Sequence, residues 1–202
     1  MSRRFYPATA RNRDPILAVL QRVLPSRGLL LEVASGSGEH AVHFAAHLPD
    51  LVFQPTDPAA EARESIEAWR VHEGRPNVRP PLALDAAAST WPVEAAEAVL
   101  CVNMVHISPW AATLGLLEGA ARILPPGGPL VLYGPYRIGG AHTAPSNASF
   151  DASLRARDPR WGVRDLERVL EEAAARGLAH EETVPMPANN QTVVLRVGSS
   201  PG

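Results

Sequence analysis

The chain has 202 residues, 46% of them hydrophobic and 20% charged, with a formal net charge of −2. That composition suits one globular domain with its own core and excludes general disorder. The single cysteine excludes a disulfide scaffold, and no run of about 18 apolar residues is present to span a bilayer as a helix. The 19 basic residues are all arginine, which removes every mechanism that needs a lysine; they are scattered, so no nucleic-acid footprint is expected.

Residues 1–7 are basic without an apolar stretch behind them, so a cytoplasmic protein is expected rather than a secreted one. Residues 1–13 read as an N-terminal arm, with Tyr6, Asn12 and Arg13 placed to close a site. Asp14-Pro15 reads as a helix start, followed by Ile16, Val19, Leu20 and Val23 at helical spacing. The apolar run 29–33 predicts a strand buried on both faces. A glycine turn follows, then a helix over 39–48 that Pro49 stops. Residues 51–57 predict a second strand with an acidic end, and 58–73 a helix. Residues 78–85 predict an edge strand, because Pro80 and Pro81 cannot donate to a ladder. Strands over 98–103 and 130–133 flank a helix over 109–124. Residues 134–161 read as a lid or substrate insertion whose first part, 134–149, is an irregular loop. A helix over 163–176 and a strand pair, 178–184 and 191–197, complete the chain. Cys101 reads as a small buried hydrophobe in its strand. The alternation predicts an α/β fold in one domain, residues 1–202, around a mostly parallel sheet.

The informative segment is Glu32-Val33-Ala34-Ser35-Gly36-Ser37-Gly38-Glu39, which leaves a strand and opens a helix. Gly36-x-Gly38-x-x-Ala41 formally matches a dinucleotide fingerprint, and Asp57 stands where a ribose-binding acid belongs. An NAD(P)-dependent oxidoreductase is therefore one reading. The other is S-adenosylmethionine. Glu32 precedes Gly36 by four residues, and a carboxylate there suits the donor's ammonium group but repels a pyrophosphate. Asp57 then takes the ribose and Asp85, after the third strand, the adenine. These acids at successive strand ends favour the methyl-donor reading. So does the closing strand pair, which resembles the reversed last strand of class I methyltransferases. A non-catalytic binding protein with the same pocket is a third reading.

On the acceptor side, Asn103 ends a strand beside the expected methyl group, and His106 follows as a general-base candidate. Tyr133, Tyr136 and Asn147 are further acceptor-side candidates, and Trp161 lies beside the insertion. Asn103-x-x-His106 does not match the N-P-P-[FY] motif of exocyclic amine methyltransferases. His40, His43 and His47 share a helix face, but without cysteine or carboxylate at ligand spacing no metal is expected.

The chain also resembles, almost end to end, the domain-of-unknown-function family 938, which includes methyltransferase-like protein 26. The resemblance runs through Pro7–Leu17, Glu32–His40, Gln54–Asp57, Asn103–Trp110, Tyr133–Tyr136, Ser146-Asn147, Phe150-Asp151, Asp158–Gly162 and Pro185–Asn190. It implies a Rossmann-like class I methyltransferase domain using S-adenosylmethionine, with a seven-stranded, mostly parallel sheet, an antiparallel last strand and helices on both faces. The donor pocket is expected from Glu32, Ala34, Ser35, Gly36, Gly38, Asp57, Asp85, Ala86 and Asn103, with His106, Asn103 and Tyr133 acting on a small-molecule acceptor. A monomer or homodimer is expected, with no nucleic-acid or membrane partner.

Overall fold

The computed structural model describes residues 2–198; Met1 and residues 199–202, the ends of the expected domain, lie outside them. Helix α1 (Pro7–Val23) starts seven residues before the expected Asp14-Pro15 boundary and carries Pro15 inside it. An internal proline costs a helix hydrogen bond. Burial of Ile16, Leu17, Val19, Leu20 and Val23 after it, and of Thr9 and Asn12 before it, offsets that cost. Most of the expected arm is therefore the first turns of a helix.

The chain continues through β1 (Gly28–Val33), α2 (Glu39–His47), β2 (Leu51–Pro55), α3 (Ala60–Glu73), β3 (Ala98–Val102), α4 (Trp110–Ile123) and β4 (Pro129–Gly134). The insertion supplies β5 (Tyr136–Ile138), β6 (Ala141–His142) and α5 (Pro145–Arg157); β7 (Arg164–Asp165) then takes the start of the helix expected over 163–176, so that α6 (Leu166–Ala174) is shorter, and β8 (Leu178–Met186) and β9 (Asn190–Val197) follow. The main sheet has the order β2-β1-β3-β4-β9-β8. Its first four strands are parallel, and β9 and β8 close it antiparallel. It has six strands where seven were expected. The segment after α3 pairs with the β2 edge through the isolated bridges Phe53–Val78 and Thr56–Leu82 instead of a continuous ladder, because Pro80 and Pro81 between them have no N–H to offer.

The central strands are apolar on both faces, and the two faces bury different helices. Leu30, Phe53, Leu100 and Val131 pack with Ile16, Leu20 and Phe44 of α1 and α2. Leu31, Val99, Leu132 and Val193 pack with Leu116, Leu117 and Val169 of α4 and α6. Because β1 lies between β2 and β3, the chain leaves it once in each direction. The crevice at its carboxyl end is the switch point where open α/β sheets bind ligands.

Residues 134–149 are not an irregular loop. They begin a small sheet, β6-β5-β7, and a helix that Pro145 starts from its first position. Asn147, Asp151 and Leu154 are the buried residues of that helix. Among the described residues, no helix is long and apolar enough to cross a membrane.

Candidate functional site at the carboxyl edge of the sheet

The turn after β1 is fixed from two sides. The Ser35 N–H donates to Thr56 O at 2.8 Å, and the Thr56 N–H returns to Glu32 O at 2.9 Å. The Ser35 hydroxyl accepts from the same Thr56 N–H at 3.1 Å, so Ser35 staples the ends of β1 and β2 together. Gly36 has φ +58° and its N–H donates to Asp57 Oδ2 at 3.0 Å; the other carboxylate oxygen takes the Ala59 N–H at 3.0 Å. Gly38 has φ +92°, and a Cβ there would lie 2.7 Å from Ile66 Cα. Glycine at 38 thus serves the approach of α3, while the space above Gly36 is open apart from Tyr6 at 3.9 Å.

A cavity of about 430 Å³ opens over this turn. Ala34 and Gly36 form one end, Asp57 and Pro58 the side, and Leu84, Asp85 and Ala86 the far end. Val102, Met104, Ile107, Ser108 and Pro109 form the floor, and Asp158, Arg160 and Trp161 reach over from the insertion. Of the residues expected in a donor pocket, Ala34, Gly36, Asp57, Asp85 and Ala86 line this cavity. Glu32, Ser35 and Gly38 shape the turn from behind without lining the cavity. A larger depression of about 660 Å³, between Phe5 and Val71, contains none of the turn residues.

The carboxylates differ. Glu32 is 1% exposed, its Oε2 has no hydrogen-bond partner, and burial pushes its carboxyl up to about 7. Asp57 is also raised, by burial, with the Ala59 and Gly36 N–H groups pulling the other way. Asp85 takes the Ala87 N–H on Oδ1 at 2.9 Å and stands exposed at the rim.

The expected acceptor-side residues separate. Asn103 turns the chain with φ +63°; it lies between Val102 and Met104 of the floor without lining the cavity itself. His106 is 4% exposed and is held down to about 4, first by burial and then by the charge of Arg164. Its ring lies against the Cα side of Gly134, where an added Cβ would come within 3.0 Å of Nδ1, and edge-on to Phe150 at 5.6 Å. Tyr133 corrects an expectation: strand alternation turns it to the α1 face with Val131, where its phenol bonds with Asn12 and Asn190. Tyr136 is buried in the opposite core. Asn147 donates to Thr143 Oγ1 and Asn189 O, both at 3.0 Å, and ties the insertion to the β8–β9 turn.

The α2 histidines have separate partners. His40 Nε2 meets Asn12 Oδ1 at 2.8 Å, His43 Nε2 meets Asp14 Oδ1 at 2.8 Å, and His47 Nδ1 meets His43 O at 2.9 Å. No group of three ligating side chains is placed for a metal among the described residues. Glu39 was missed. Its Oε2 accepts from the Tyr6 N–H at 2.9 Å and the Ser37 hydroxyl at 3.0 Å, holding the chain before α1 over the glycine turn. The available signal was an acid at the first helical position after the turn. Asp158 and Arg160 were missed as lining residues because they sit beyond a helix that the sequence does not announce.

A sheet of this order, with a glycine turn at its switch point and acids at the carboxyl ends of β1 and β2, has the fold of the Rossmann-like methyltransferases. The chain belongs to the family described as "Protein of unknown function (DUF938)", whose model matches residues 3–197. Among solved structures, an O-methyltransferase family protein from Burkholderia thailandensis superposes with a TM-score of 0.80 at 17% identity, over 96% of this chain and 58% of that one. A structure described as a putative O-methyltransferase from Nostoc punctiforme gives 0.81 at 18% identity, over 94% and 57%. Human N-acetylserotonin methyltransferase in complex with SAM gives 0.79 at 14% identity, over 95% and 53%. The chain thus spans little more than half the length of each, and identities this low establish likeness of fold.

Proposed function

We propose that the protein is an S-adenosylmethionine-dependent methyltransferase acting on a small-molecule acceptor. The observation that carries the reading is one cavity joining the Gly36 turn, Asp57 and Asp85, with the unpartnered Glu32 Oε2 buried behind the turn. Glu32 then compensates the donor's ammonium group, Asp57 the ribose hydroxyls and Asp85 the adenine amino group. When bound, the donor supplies a methyl group already activated by the sulfonium charge. The cavity walls orient the acceptor and exclude water, which alone is worth about 7–11 kcal/mol. His106 is neutral at pH 7 and offers an acceptor nitrogen to the nucleophile's proton. A full transfer would leave a cation on a buried ring near Arg164, so acceptors that need no strong base fit best. The nicotinamide reading places a pyrophosphate against the buried Glu32 carboxyl, which disfavours it.

Calorimetric titration with S-adenosylmethionine, S-adenosylhomocysteine and NAD tests the proposal. Both adenosyl ligands should bind in the micromolar range, on the order of −8 kcal/mol. Asp85→Ala, at the exposed rim, should weaken both about tenfold without altering the fold, and Asp57→Ala should abolish binding. NAD binding without response to the adenosyl ligands would overturn the reading.

A further inference from the structure

The insertion, together with α4, β7 and α6, builds a second recess of about 280 Å³. Four arginines line it, Arg137, Arg155, Arg164 and Arg168, beside Trp110 and one acid, Asp165. In a chain with net charge −2 this is a concentrated positive site. Asp165 is engaged by Arg137, and Arg155 by Asp151 of α5 at 3.0 Å. Arg168 reaches Glu172 only at 3.6 Å, with its side chain 61% exposed.

Arg164 is different. Its hydrogen bonds go to main-chain carbonyls, from Nε to Val105 at 3.3 Å and from Nη2 to Ser108 at 2.8 Å and Arg160 at 2.7 Å. Those partners occupy Nε and Nη2 and carry no charge, while Nη1 makes no hydrogen bond among the described residues and the Asp151 carboxylate offsets the guanidinium charge only in part. Burial, with repulsion from Arg155 and Arg137, holds the guanidinium below its ordinary range. The Trp110 ring sits 5.7 Å from the Arg164 guanidinium and 5.8 Å from that of Arg168, and orients both. Gly162 makes room for Arg155, since a Cβ there would come within 2.8 Å of Arg155 Nη2.

Forked N–H donors on neighbouring guanidiniums match the paired oxygens of a phosphate or carboxylate. We propose that this recess binds an oxyanion, the phosphate or carboxylate group of a small molecule. The site is separate from the donor cavity but shares its walls. Pro109 lines one and Trp110 the other, and Arg164 ties together the segments that carry Ser108 and Arg160. An anion here steadies the wall of the donor cavity.

The test uses the full chain and two probes, pyrophosphate and citrate, titrated by calorimetry. In parallel, the Trp110 indole N–H is followed by NMR, assigned through Trp110→Phe. The expected result is saturable binding of at least one probe that shifts the Trp110 signal and weakens with added salt. Arg168→Gln and Arg155→Gln, both at partly exposed side chains, should each cost about tenfold in affinity, while Arg22→Gln, paired with Glu182 of β8, should cost nothing. A response to pyrophosphate alone assigns a phosphate ligand, and a response to both probes assigns a general oxyanion site. No saturable binding of either probe, or binding unchanged in the Arg155→Gln/Arg168→Gln double variant, would overturn the proposal. Neither outcome depends on whether adenosyl ligands bind.

Discussion

Glu32 is the residue whose chemistry is most out of balance in the free protein. A carboxyl taken from water without a partner for one oxygen favours its neutral form, and here it shifts from an ordinary 4.5 to about 7. The native state therefore binds more protons than the unfolded chain between about pH 4.5 and 7. Stability contributed by this group is present below 4.5 and falls as pH rises to 7, by on the order of 3 kcal/mol. Glu32→Gln removes that dependence. Its stability relative to the parent should climb between pH 4.5 and 7 and then level off in thermal unfolding; a flat difference would mean the carboxylate is compensated without ligand. The same variant should weaken S-adenosylmethionine binding and leave adenosine, which lacks the ammonium group, unaffected. Glu32 was legible because it stands four residues before Gly36, and Asp57 because it closes the next apolar strand run, 21 residues beyond that glycine. The place of Tyr133 was not, because its phenol is taken up by Asn12 of α1 and Asn190 of β9, partners remote in sequence that its own strand does not announce. Asp57 also proved to be two things at once, a rim carboxylate and the latch on the Gly36 N–H.

At the scale of elements, α4 shows how packing overrides propensity. Alanine is a better helix former than glycine by about 1 kcal/mol, yet α4 carries Gly115 and Gly119. A Cβ at 119 would lie 2.2 Å from the Trp91 ring, and one at 115 would lie 2.2 Å from the carbonyl oxygen of Ala86. Each substitution to alanine should destabilise by about 2–4 kcal/mol, the reverse of the propensity effect, in chemical denaturation. Gly115→Ala should also weaken S-adenosylhomocysteine binding, because it displaces Ala86 at the end of the donor cavity, whereas Gly119→Ala should not. The sequence reads α4 to within a residue at each end, since its apolar periodicity is strong, but gives no hint of what its glycines meet. The same limit applies elsewhere. The parallel strands were legible as apolar runs, and the segment around Pro80 and Pro81 proved too irregular to count as a strand. Helix α5 was hidden because its apolar face is narrow and its first turn is written in loop-forming residues.

Across the whole molecule, two buried histidines set the acid limit. His40, between α2 and Asn12 of α1, and His106, under the insertion, are both held down to about 4, chiefly by burial. Their ordinary value is near 6.5, so the unfolded chain binds two more protons than the native one between about pH 4 and 6.5. Stability from these groups is present above 6.5 and is lost as pH falls. Glu32 opposes them with one proton across most of that window. Among these three groups the net dependence is one proton, about 1.4 kcal/mol per pH unit near pH 5.5; His43, also depressed by burial, adds to it, and Asp57, raised by burial, opposes it. Denaturant unfolding at pH 5 and 6 should give that slope in the parent, nearly none in His40→Gln, and about twice as much in Glu32→Gln. Binding at the cavity is expected to follow the same titration. His40 holds Asn12, which lies on the helix that begins just after Tyr6, and the Tyr6 ring stands over Gly36, a lining residue of the cavity. Protonating His40 loosens that helix before the sheet is disturbed. The affinity for S-adenosylhomocysteine should therefore fall more steeply between pH 6.5 and 4.5 in the parent than in His40→Gln, where only the decline from protonating the Glu32 and Asp57 carboxylates remains, and an identical decline in both proteins would show that His40 does not control it.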